Sequence, residues 1–155
     1  AKLNMSRTEY IYINADKMSV HKDDDKTIKV IAGKFKNAEG PVKGHNVEPV
    51  YFDVELNKDK DFNFKLPSTH NTFIYLVSGE IEVGKNKHAN VKDSTLILLT
   101  RGEDLTVKAK SNAKFLVISG KPINEEIARG GPFVMNTKAE ILQAVQDYHN
   151  DTFVK

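Results

Sequence analysis

Apolar positions along the chain recur mostly with a period of two, in short runs set between turn-forming residues, which is the signature of β-structure. Val50-Tyr51-Phe52-Asp53-Val54-Glu55-Leu56 reads as a strand that stops at Asn57-Lys58-Asp59. Phe62-Asn63-Phe64-Lys65-Leu66 alternates strictly, as a half-buried strand does. Tyr10-Ile11-Tyr12-Ile13, Thr27 to Phe35, Thr95 to Leu99, Leu105 to Ala109 and Lys114 to Ser119 add further strands. Thr72 to Val77 is an apolar run closed by Ser78-Gly79, and Glu80 to Val83 follows at once, so the pair reads as a hairpin around the glycine. Short strands at close spacing predict a sandwich or barrel.

The period changes near the end. After the loop Gly130-Gly131-Pro132, Thr137-Lys138-Ala139-Glu140 has the form of a capping box, in which the threonine hydroxyl serves the amide three residues on and the glutamate reaches back. Ile141, Ala144, Val145 and Tyr148 then fall on one helical face, so a helix is expected from about Lys138 to His149. The fold class is therefore all-β, a sandwich or barrel followed by one C-terminal helix.

Composition narrows the chemistry. A chain of 155 residues fits one domain, with core enough to need no staples. There are no cysteines, which excludes disulfides, thiolate metal sites and cysteine nucleophiles, and fits a reducing, cytoplasmic location. Net charge is +2, with lysine far outnumbering arginine and no basic stripe, so direct binding to nucleic acid is not expected. No apolar run approaches the ~20 residues of a membrane span, and no secretory signal opens the chain.

Candidate catalytic groups are sparse. His21, His45, His70, His88 and His149 show no metal-ligand spacing. Asp23-Asp24-Asp25 lacks the glycine and the distal glutamate of a calcium loop and reads as a solvated turn. Arg101-Gly102-Glu103-Asp104 reads as a polar turn that could present charge to a ligand, and His70-Asn71 as a polar pair at a strand end or pocket mouth. No glycine-rich phosphate loop or nucleophile elbow is present.

Three stretches, in order along most of the chain, resemble the C-terminal half of the pirin family. They are Ile31-Ala32-Gly33 with Gly40-Pro41-Val42, then His70-Asn71-Thr72-Phe73-Ile74-Tyr75-Leu76-Val77-Ser78-Gly79-Glu80, then Ser119-Gly120-Lys121-Pro122-Ile123-Asn124-Glu125-Glu126 continuing through Gly131-Pro132-Phe133-Val134-Met135-Asn136-Thr137. The resemblance implies a single cupin, or jelly-roll, barrel with an N-terminal extension and one C-terminal helix, taken from a bicupin protein. Residues 1–20 would then be inter-domain linker and first strand, 21–120 the cupin barrel, and 121–155 loop and C-terminal helix. In that family the N-terminal barrel holds iron and some members oxidise quercetin with dioxygen, while others act as transcriptional co-regulators. Ala1-Lys2 resembles the end of the family's inter-barrel linker, so the first barrel is expected to have been removed.

Aligning this half on the metal-bearing one places the ligand positions at Lys65, Pro67, Leu105 and Val107, which offer no imidazole or carboxylate. The same alignment directs Asn71, Phe73, Tyr75 and Val77 inward and His70 outward. The barrel is then expected to be metal-free and plugged by rings, with a small candidate pocket at Asn71, Phe73 and Tyr75. Phe133, Val134 and Met135, apolar but outside the barrel strands, are the candidate interface with the first barrel or with the barrel's own flank.

The chain is thus expected to be a structural and interaction domain without cofactor, partnered by an iron-bearing N-terminal barrel of the same protein. The intact protein would be an iron-dependent, quercetin 2,3-dioxygenase-like oxygenase or a redox-responsive regulator. A stand-alone small-molecule-binding cupin is the alternative, and binding of another protein through the helix face a third.

Overall fold

A computed structural model of the chain describes residues 10–44, 46–85 and 89–153. The strands in chain order are β1 (Ser19–Lys22), β2 (Lys26–Ala32), β3 (Lys34–Phe35), β4 (Ala38–Glu39), β5 (Val50–Leu56), β6 (Asp61–Lys65), β7 (Asn71–Ser78), β8 (Glu80–Val83), β9 (Ala89–Lys92), β10 (Thr95–Leu98), β11 (Asp104–Ala109), β12 (Ala113–Gly120), β13 (Ala128–Gly130) and β14 (Phe133–Met135), followed by helix α1 (Lys138–His149).

The chain divides into two units, one of residues 13–123 and a smaller one that joins residues 10–12 to 124–153 among those described. In the larger unit, among the described residues, β1-β2-β5-β12-β7-β10 form a six-stranded sheet and β6-β11-β8-β9 a four-stranded one. All their pairings are antiparallel. Alternation fixes which side of each strand is apolar. Val50, Phe52, Val54 and Leu56 on β5, with Ala113, Phe115 and Val117 on β12, bury one face of the large sheet. Phe62, Leu105, Val107, Ala109, Ile81 and Val83 answer from the small sheet in one continuous core.

Phenylalanine rings bridge the sheets. Phe52 meets Phe64 edge-on with centroids 4.9 Å apart, and Phe62 meets Phe115 at 5.7 Å. Phe35, on the β3–β4 hairpin, stacks at 5.8 Å on Phe62. Edge-to-face pairs of this kind stabilise by about 0.5–1.5 kcal/mol beyond the area they bury.

Two sequence expectations need correction here. Tyr10-Ile11-Tyr12-Ile13 is not a strand. Tyr10, Ile11 and Tyr12 are largely in solvent, and among the described residues the first strand is β1. Intrinsic β preference yields a strand only where an edge is available for pairing. The expected division at residue 21 consequently falls inside β1. Nor do β7 and β8 form a hairpin. Gly79 carries the chain from the large sheet to the small one, so β7 pairs with β12 and β10, and β8 with β11 and β9. Its φ of +94° suits glycine, and a Cβ there would lie 2.4 Å from the Asn112 carbonyl oxygen.

In the smaller unit β13 and β14 pair as a hairpin, and α1 packs on it. The capping box is formed. Thr137 Oγ1 accepts from the Glu140 amide at 3.2 Å, and Glu140 Oε2 accepts from the Thr137 amide at 2.8 Å. Side chain crowding is close enough that a Cβ on Gly130 would stand 2.4 Å from Ile141 Cγ2.

Candidate functional site

The interior positions nearest the expected metal site are filled with hydrocarbon. On β6 the strict alternation turns Phe62 inward, and Phe64 faces the rings of Phe35 and Phe52. Leu66 is buried just beyond the strand. Lys65 and Pro67 are exposed, which corrects their placement as inward positions by one residue. Leu105 and Val107 do face inward, opposite Phe64 and Phe62 across the β11–β6 ladder. The inward set Phe64, Leu66, Leu105 and Val107 has no donor for iron(II), which takes imidazole or carboxylate. Among the described residues no three His, Asp or Glu side chains stand together as metal ligands. His45 and His88 lie outside the described residues.

The candidate pocket of Asn71, Phe73 and Tyr75 also needs correction. The register pairs Leu76 with Phe115 and Ile74 with Val117, so β7 buries Ile74 and Leu76. Asn71, Phe73, Tyr75 and Val77 face the other way, onto the outer side of the large sheet. Rings do plug the barrel, but they are those of β3, β5, β6 and β12.

His70 turns inward instead of outward. Its side chain is 2% exposed, and Nδ1 lies 3.3 Å from Ser119 Oγ, which is 2.8 Å from Thr72 Oγ1. His70 and Ser119 are the buried polar side chains of the described interior. Nε2 faces the exposed Glu48 carboxylate, whose Oε2 is 4.0 Å away and whose Oε1 is 3.8 Å from Lys121 Nζ.

Two cavities share His70 as a wall. An outer cleft of about 420 Å³ runs between Lys34, Val42, Lys43 and Glu48. An inner cavity of about 170 Å³ opens at the end of the barrel, where hydrocarbon from Leu66, Val83, Leu99 and Leu105 meets the hydroxyl of Thr72. Arg101 and Asp104 bring one charge of each sign to its wall. The loop Arg101-Gly102-Glu103-Asp104 thus borders a cavity, and of the pair His70-Asn71 only the histidine reaches one. Sequence reasoning could not find Ser119 and Thr72, because forty-seven positions separate two residues that the β12–β7 register places side by side.

Phe133, Val134 and Met135, the candidate interface, form β14. The Phe133 ring lies 5.2 Å from Phe153 and 5.9 Å from Tyr148, Val134 pairs with Arg129 across the hairpin, and Met135 is buried, so the segment is engaged inside its own unit. The larger apolar exposure is elsewhere. On the outer face of the large sheet Tyr75, Val77, Leu96 and Leu98 are 37%, 39%, 55% and 77% exposed. Cross-strand rows run Asp53–Leu116–Tyr75–Leu96 and Tyr51–Ile118–Phe73–Leu98.

Residues 51–154 match the family model for the pirin C-terminal cupin domain. The chain belongs to the pirin family. It is 35% identical over 127 residues to a pirin-like protein of Solanum lycopersicum, covering 81% of this chain and 43% of that one. It is 32% identical over 155 residues to a pirin-like protein of Caulobacter vibrioides, covering 99% and 55%. Among solved structures, a quercetin 2,3-dioxygenase from Acinetobacter baumannii superposes with a TM-score of 0.78 at 30% identity, covering 94% of this chain and 50% of that one. The fold is that of a pirin cupin barrel, and the chain spans about half the length of the curated relatives it matches. Among the described residues no helix is long and apolar enough to cross a membrane.

Proposed function

We propose that this chain is the non-catalytic, metal-free half of a pirin-type protein, and that it supports a second, iron-holding cupin barrel. The observation that carries this reading is the hydrocarbon filling of the barrel at Phe64, Leu66, Leu105 and Val107, where a cupin would otherwise grip its ion. The relatives are about twice as long as this chain, which supports a partner within the same polypeptide, in this reading a further barrel. Iron-dependent oxygen chemistry of the quercetin 2,3-dioxygenase kind, or redox-responsive regulation, would then belong to that other half.

The outer face of the large sheet is the docking surface this reading assigns. Apolar side chains exposed together on one face mark association surfaces. Asp53 Oδ1, in the same row as Tyr75 and Leu96, is buried without a hydrogen-bond partner among the described residues, while Oδ2 lies 3.5 Å from Lys114 Nζ.

Metal analysis tests the reading. The purified chain is loaded with iron(II) under anaerobic conditions, passed over a chelating column and assayed for bound metal and for dioxygen uptake with quercetin. The expected result is metal well below one ion per chain and no uptake. One tightly held ion per chain, or turnover by this chain alone, would overturn it.

A further inference from the structure

We infer that the inner cavity beside His70 is a binding site for a neutral alcohol with a hydrocarbon body about the size of a six-membered ring. Size comes first. The cavity holds about 170 Å³, and a dry protein cavity of about 150 Å³ admits benzene. Leu66, Val83, Leu99 and Leu105 supply the apolar wall such a body needs.

Charge comes second. Arg101 and Asp104 both line the wall, one charge of each sign, so the lining carries no excess of charge from these two to attract an ion. An ionised ligand would give up its hydration against leucine and valine, which is costly without a dedicated counter-charge.

The polar end then selects a hydroxyl. Thr72 Oγ1 bonds Ser119, and a hydroxyl has one donor and two acceptor sites, so Thr72 keeps capacity on its cavity side. What it offers depends on His70. With the proton on Nε2, Ser119 donates to Nδ1, Thr72 donates to Ser119, and a Thr72 lone pair faces the cavity. With the proton on Nδ1, that N–H donates to Ser119, Ser119 donates to Thr72, and the Thr72 O–H is free to donate. An alcohol both donates and accepts, so it meets either arrangement. A ketone meets only the second, and an ammonium ion only the first.

This site stands apart from the outer sheet face and does not depend on it. The full chain is titrated with cyclohexanol, with cyclohexanecarboxylate and cyclohexylammonium as charged controls, and followed by amide chemical shifts. Saturable shifts at Thr72, Leu99 and Leu105 are expected with cyclohexanol alone. Thr72→Val, close in shape, should weaken binding roughly five-fold through loss of one buried hydrogen bond. Thr100→Trp, at an exposed position on the cavity wall, should plug the mouth and abolish the shifts. The inference is overturned if cyclohexanol gives no saturable shift, if a charged control binds as well, or if Thr72→Val binds like the parent. Should Thr72→Val fail to fold, undiminished binding by Thr100→Trp overturns it equally.

Discussion

Tyr75 and Leu96 stand opposite one another on β7 and β10, and both point into solvent from the outer face of the large sheet. A pair of this kind contributes to sheet packing only on one side, since its other side has nothing to touch. Leu96→Lys and Leu98→Glu are therefore expected to leave stability within about 0.5 kcal/mol of the parent. At high concentration the parent chain should self-associate through this face, and the doubly substituted chain should sediment as a monomer. Unchanged association of the variant would argue against the face as a docking surface.

Ser119→Ala strands His70 Nδ1 inside the barrel. A buried group left without its partner costs about 1–3 kcal/mol, which urea unfolding would show as a lower midpoint. Replacing His70 by leucine in the same chain should return much of that loss, because the orphaned nitrogen goes with it.

Core and outer rings should respond differently. Phe62→Ala, at a fully buried position between the sheets, is expected to cost about 3–5 kcal/mol. Tyr75→Ala, on the exposed face, should cost under about 1 kcal/mol. Equal losses would mean that the sidedness of β7 described above is wrong.

Gly79→Ala combines two penalties: a left-handed φ, and a Cβ driven into the Asn112 carbonyl at the crossing between sheets. The cost should exceed the roughly 1 kcal/mol of an ordinary glycine-to-alanine strain, and thermal unfolding would register it as a clear drop in Tm.

Acidification should loosen the start of α1. The backbone N–H of Thr137 bonds the Glu140 carboxylate and holds its pKa below the ordinary glutamate range. A depressed carboxylate pKa contributes stability that is fully present above the unfolded value and is lost as pH falls through the folded one. Circular dichroism should thus show helix loss beginning as pH drops below the usual glutamate range. Thr137→Ala, which removes the other half of the box, should destabilise by about 1 kcal/mol at neutral pH.

Where a segment carries its own complete signal, sequence reading placed it well. Val50–Leu56 alternates cleanly and is β5, and the capping box with its apolar stripe located α1 at Lys138–His149. The β7 run is apolar on both faces, because Thr72, Ile74 and Leu76 serve the core while Phe73, Tyr75 and Val77 serve the outer side. Such a run does not say which parity is interior. Only the register against β12 decides it, and that is a long-range property. On β6 the strand's own alternation puts Phe62, Phe64 and Leu66 on one side, and this is the side that faces inward, whereas the alignment to a metal-bearing barrel lands one residue away at Lys65 and Pro67. The His70–Ser119–Thr72 relay was out of reach for a related reason: its members are ordinary residues whose meaning appears only when two strands are laid together.

The choice of phenylalanine for the benzenoid rings of the described barrel interior has an optical consequence. The chain has no tryptophan, and among the described residues Tyr10, Tyr12, Tyr75 and Tyr148 lie at the surface with Tyr51 half covered. Tyrosine emission would therefore report on the periphery, while collapse of the barrel interior would pass almost dark and show itself mainly in the weak near-ultraviolet dichroism of Phe35, Phe52, Phe62, Phe64 and Phe115.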